Sequence, residues 1–128
     1  MNLYEVKSPD APRALGPYSQ AVETEAGRYI FVSGQLGIDV ASGELIADTI
    51  EEQTRKALEN LMAVVGAAGC GEGSIVKTTI YLKRIEDFAA VNEVYADFMK
   101  PPYPARACVA VAGLPKGALV EIDAIAVK

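Results

Sequence analysis

A chain of 128 residues has the length of one domain and can bury a core without disulfide or metal support, so residues 1–128 read as a single domain. Hydrophobic residues make up 51% and charged residues 23%, and the absence of histidine excludes Ser-His-Asp and Cys-His nucleophiles, histidine-ligated zinc and an imidazole proton shuttle. The 12 Lys and Arg against 17 Asp and Glu give a net charge of −5, with Lys83-Arg84 the longest basic run, which disfavours nucleic acid as a partner.

From the N-terminus, residues 1–7 carry Glu5 and no apolar run, so no signal peptide is read there. No segment offers the ~18 consecutive apolar residues of a transmembrane helix. Residues 8–18 are irregular, punctuated by Pro9, Pro12 and Pro17. Residues 28–33 are rich in aromatic and β-branched types and predict a strand that ends at Gly34; residues 37–44 read as a turn region with Gly43 at positive φ. Asp48, with Glu51 three residues on, predicts the start of a first helix. Its buried stripe is Leu58, Leu61, Met62, Val65 and Ala68, and Gly69 ends it. Residues 75–83 alternate, placing Val76, Thr78, Ile80 and Leu82 on one face. A second helix over about residues 86–99 presents Phe88, Val91, Tyr95 and Phe98, and Pro101-Pro102 stops it. Strands near residues 105–112 and 119–127 complete an α+β order of five or six strands and two helices. Two helices cover one sheet face, yet the last two strands are rich in Ala, Val and Ile on both faces; a homo-oligomer packing sheet against sheet is the expectation. Cys70 and Cys108 imply no disulfide or zinc framework, and a reduced cytoplasmic setting is expected.

Arg106 stands in a strand of Ala, Cys and Val, where a guanidinium needs a carboxylate from the protein or from a ligand, or an exit to solvent. Cys108 shares its face, as a thiolate beside a cation or as a small buried hydrophobe. Glu121 interrupts an apolar run and is either a candidate general base or, with Asp123, the mark of a solvated face. Gly34-Gln35-Leu36-Gly37 either presents backbone groups to a ligand or simply turns; it is not a dinucleotide fingerprint. Tyr18, on a stiff Gly-Pro loop, reads as a pocket wall or a core lid, and Asn92 as a residue at the sheet edge or on the surface.

Five ordered segments carry a resemblance: Gly16-Pro17-Tyr18-Ser19-Gln20-Ala21, Ser33-Gly34-Gln35, Ile75-Val76-Lys77-Thr78-Thr79, Tyr103-Pro104-Ala105-Arg106-Ala107-Cys108-Val109 and Val120-Glu121-Ile122-Asp123-Ala124-Ile125-Ala126. Across essentially the whole chain the sequence resembles the RidA (YjgF) family of reactive-intermediate deaminases. The resemblance implies a chorismate-mutase-like α+β domain, with a mixed six-stranded sheet carrying two helices on one face. It further implies a homotrimer with sheets inward and ligand clefts between subunits. The implied reaction is hydrolysis of 2-imino acids and their enamine tautomers to 2-oxo acids and ammonia, without cofactor or metal. Residue by residue, it casts Arg106 as the carboxylate grip, Glu121 as the residue directing water, and Cys108 as a position whose backbone meets the reacting group. Tyr18, Ser33, Gly34 and Asn92 are cast as pocket residues. Ala107 stands where the family commonly has Ser, and the connection at residues 100–102 is shorter than in many members. The alternatives are a trimer that binds small carboxylates without turnover, a ribonuclease or translation inhibitor, and a chaperone-like holdase.

Overall fold

Thr49, one residue after the expected Asp48, caps the first helix. The computed structural model describes residues 3–128; Met1, where the segment 1–7 begins, lies outside the described residues. The elements in order are β1 (Leu3–Val6), β2 (Ala21–Thr24), β3 (Tyr29–Leu36), α1 (Ile50–Ala67), β4 (Ile75–Leu82), α2 (Phe88–Phe98), β5 (Ala105–Ala110) and β6 (Val120–Val127). Thr49 Oγ1 accepts from the Glu52 amide at 3.3 Å and donates to the Glu52 carboxylate at 3.1 Å, so the cap falls one residue later than Asp48 and Glu51 predict. The helix ends as expected, with Gly69 at φ 81 just beyond Ala68.

The six strands of the expected sheet divide in two. β3, β6, β4 and β5 form a four-stranded mixed sheet in that order, and β1 pairs with β2 separately. A single parallel bridge between Ser19 and Ala105 ties the approach to β2 to the start of β5. In the main sheet β6 runs antiparallel to both β3 and β4, while β4 and β5 are parallel. Parallel neighbours need a crossover, and α2 is that crossover, so it lies over the β4–β5 pair. Both helices cover the same face. Leu58, Leu61 and Val65 of α1, Val91 and Tyr95 of α2, Ile80 and Leu82 of β4 and Val120, Ile122 and Ala124 of β6 form one buried cluster. Val94 belongs to it in place of Phe88, which is 36% exposed.

β3 does not stop at Gly34. A bulge between Val32 and Gln35 inserts an extra residue, and pairing resumes at Gln35–Ile122 and Leu36–Glu121. The outer face is left apolar in part: Phe31 is 75% and Val109 45% exposed. Among the described residues no helix is long and apolar enough to cross a membrane.

Candidate functional site

Arg106 is paired in register with Thr78, which sits in β4. Thr78 is fully buried and shares a 2.8 Å hydrogen bond with the Tyr95 hydroxyl of α2, which puts Thr78, and with it Arg106, on the helix face. Cys108, two residues on and opposite Ile80, takes the same face. Because α2 crosses above this strand pair, Asn92 Oδ1 accepts a 2.7 Å hydrogen bond from Arg106 Nη1. The guanidinium carbon lies 5.1 Å from the ring centre of Tyr95, 5.3 Å from that of Tyr18 and 5.6 Å from that of Phe88.

Three aromatic faces attract the cation and shield it without using its N–H donors. Burial lowers the pKa of Arg106, though a guanidinium stays charged at neutral pH. Among the described residues no carboxylate forms an ion pair with it. A half-buried cation with one amide partner has directional donors left for an anion, and its planar fork matches a carboxylate. Burial pushes the Cys108 thiol up, and the opposing pull of Arg106 does not cancel this, so the thiol is protonated at neutral pH.

Tyr18 reaches the arginine from the irregular loop. Its neighbour Ser19 is buried, donating through Oγ to the Tyr103 carbonyl at 2.5 Å and through its amide to Pro104 O at 3.3 Å. These bonds anchor the loop beside the entrance of β5.

Ser33, Gly34 and Glu121 gather elsewhere. Glu121 is opposite Tyr81, which alternates with Thr78 and Ile80 and so faces away from the helices. At the bulge the Glu121 carboxylate lies against Gly34: a Cβ there would fall 2.5 Å from Glu121 Oε2. Only glycine permits that approach. Gly37 has a similar reason, since its Cβ would meet the Gln53 backbone of α1 at 2.5 Å. A cavity of about 500 Å³ extends from Glu121 and Gly34 past Leu36 and Ile38 to Asn60 and Val64. The sequence-expected residues thus fall into two groups within one chain. Tyr18, Asn92, Arg106 and Cys108 gather on the helix face at β5, while Gly34 meets Glu121 on the outer face beside β3, with Ser33 next to Gly34 in the bulge. Among the described residues no cluster of Cys, Asp and Glu could hold a metal ion.

The endoribonuclease L-PSP family matches residues 8–128. The chain belongs to this family. It is the RidA (YjgF) family that the sequence resembles. The human protein 2-iminobutanoate/2-iminopropanoate deaminase is 45% identical over 123 residues, covering 96% of this chain and 88% of the human one. The crystal structure of RidA from the Antarctic bacterium Psychrobacter sp. superposes with a TM-score of 0.77 at 41% identity, covering 96% of this chain and 98% of that one. The structure of E. coli TdcF with bound serine gives a TM-score of 0.74 at 42% identity, covering 97% of this chain and 98% of that one.

Within this RidA-family domain, two residues that meet the arginine are marked by the sequence only as an apolar stripe. Phe88 and Tyr95 lie four residues before and three after Asn92, so one helix face presents all three to Arg106. That spacing was the available signal; apolar periodicity alone does not distinguish a ring packed in the core from one stacked on a cation. The short connection at residues 100–102 lines a surface cavity with Leu3, Tyr4, Glu72 and Gly73, and Arg106 draws none of its ring or hydrogen-bond partners from it.

Proposed function

We propose that this RidA-family protein is a deaminase that hydrolyses 2-imino acids, and the enamines in equilibrium with them, to 2-oxo acids and ammonia. The observation that carries the reading is Arg106: a half-buried guanidinium, braced by Asn92 and three rings, with no carboxylate partner among the described residues. It suits a substrate carboxylate, with Tyr18 and Asn92 shaping the pocket and the backbone at Cys108 close to the imine nitrogen. The substrate class is that in the name of the human relative.

Glu121 directs the water. The carboxylate accepts a proton as water oxygen bonds to the carbon of the protonated imine, giving a neutral carbinolamine. Return of that proton to nitrogen makes ammonia the leaving group; as the C–N bond breaks, the carbinolamine hydroxyl gives its proton back to the carboxylate, leaving the 2-oxo acid. The reaction is hydrolytic and consumes no cofactor. Imines hydrolyse unaided, so holding the carboxylate and orienting one water supplies much of the effect, and general-base help adds about 100- to 10,000-fold.

Arg106 and Glu121 leave one sheet by opposite faces, so they act on one substrate only when contributed by different copies. The reading therefore includes a homotrimer, in which Ser33, Gly34 and Glu121 of one copy complete the Arg106 site of the next. The exposed apolar outer face, with Phe31 75% exposed, supports packing of sheets against each other. The test couples the protein to a dehydratase that releases 2-aminoacrylate and follows pyruvate. Arg106→Ala, checked for unchanged assembly, loses the acceleration; equal rates for variant and wild type overturn the reading.

A further inference from the structure

The segment 16–20 supplies Tyr18 to the arginine, and its last residue does something separate. The loop before it carries Pro9, Pro12 and Pro17 and is mostly exposed, with no helix or strand from residue 7 to residue 20 to hold its shape. One side chain ties it down. Gln20 Oε1 accepts from the Ser8 amide at 2.7 Å, and Gln20 Nε2 donates to the carbonyls of Ser8 at 3.3 Å, Ala11 at 3.3 Å and Pro12 at 2.5 Å.

The far end of the same loop closes on the site. The Leu15 amide donates to the Tyr18 hydroxyl at 3.3 Å, and the Tyr18 amide to Gly16 O at 2.7 Å. A Cβ on Gly16 would stand 3.9 Å from Arg106 Nη2, so the backbone there covers the guanidinium closely. Ser19 pins one side of this cover to β5, and Gln20 pins the other to residues 8–12.

We infer that Gln20 is a positioning residue: by holding residues 8–12 it keeps residues 13–16 seated on Tyr18, and so sets how firmly Arg106 grips a carboxylate. This rests on the deaminase reading. Gln20 has no hydrogen bond to Arg106 and acts through the loop. The residue type follows from the bonds: one group must accept from an amide and donate to carbonyls. Glu would keep the acceptor, lose the donors and bring negative charge to three carbonyl oxygens, while Met keeps the length and loses every bond.

The test measures 2-iminopropanoate hydrolysis, amide exchange at Leu15 and Tyr18, and melting temperature for wild type, Gln20→Met and Gln20→Glu. In both variants KM rises about tenfold while kcat stays within about twofold, because carboxylate binding is what weakens. Gln20→Glu is the more severe, and exchange at Leu15 accelerates. An unchanged KM, with or without faster exchange, overturns the inference, as does a fall in kcat at constant KM. Should Gln20→Glu fail to fold, Gln20→Met alone carries the test. If the wild type does not hydrolyse the imine, the deaminase reading fails; the positioning role is then read from pyruvate titration, where a Kd raised about tenfold supports it and an unchanged Kd overturns it.

Discussion

Arg106 and Glu121 lie on opposite faces of one sheet. Arg106 is in register with the buried Thr78, and Glu121 with Tyr81, three residues along the same strand and of opposite parity. A guanidinium under α2 and a carboxylate on the outer face cannot meet one small substrate in a single chain.

Mixing follows from that relationship. On the proposed function, Arg106→Ala and Glu121→Gln should each be inactive as pure proteins. After subunit exchange, confirmed by mass, random mixtures of the proposed trimer should regain about a quarter of wild-type activity, the share of clefts that would combine an intact arginine with an intact glutamate. Absence of recovery in exchanged trimers would show that both groups act from the same chain.

The proposed carboxylate grip uses the shape of Arg106 as well as its charge. Arg106→Lys keeps a cation but loses the two-pronged fork and its fit among three rings. It should lower kcat/KM about 100-fold, mainly through KM. Steady-state kinetics at several 2-imino acid concentrations decides this; a lysine variant within about threefold of wild type contradicts the carboxylate role.

Gly34→Ala tests the contact between the bulge and the carboxylate. The added methyl would overlap Glu121 Oε2, so the carboxylate must swing away. The expectation is a fall in kcat of about tenfold or more with a shift in melting temperature of only a few degrees, since position 34 is exposed. Parallel kinetics and thermal melts separate the two effects.

Beneath the arginine, the Thr78–Tyr95 pair is fully buried. Thr78→Val leaves the Tyr95 hydroxyl without its partner and should cost about 1–3 kcal/mol. Adding Tyr95→Phe removes the stranded hydroxyl and should recover part of that loss. A double-mutant cycle by urea denaturation reads the coupling, and additive single effects would show that the bond contributes nothing.

Alkaline pH weakens the fold. Burial raises the Tyr95 pKa above its ordinary 10.0, and the hydrogen bond to Asp123 does the same for Tyr81. Protons are then held more tightly folded than unfolded, so this stability is fully present below pH 10 and is lost as pH rises through the raised values. Melting temperature should fall steeply above that pH in wild type and less steeply in Tyr95→Phe.

Much of this was legible along the chain. The stripe of Leu58, Leu61 and Val65 and the alternation through Thr78, Ile80 and Leu82 follow from the periods of helix and strand, and those residues are buried. The Asp48 cap was one residue early because Asp and Thr adjoin, both with a Glu three residues on; only the backbone geometry at Thr49 chooses between them. Local pattern ends the strand at Gly34, because a glycine resembles a stop. In fact Gly34 marks a bulge that admits Glu121 from another strand, a long-range contact with no trace in local pattern.

By itself the sequence determined the α+β order, the absence of imidazole chemistry and the identity of the charged residues set among apolar ones, since these depend on composition and short-range periodicity. Tertiary structure decided which of those residues meet. It brought Phe88 and Tyr95 to Arg106 through the crossover of α2, and it sent Glu121 to the other face, 15 residues along the chain. Side-chain parity in a strand is local, but which face the helices cover is set by how the whole sheet packs.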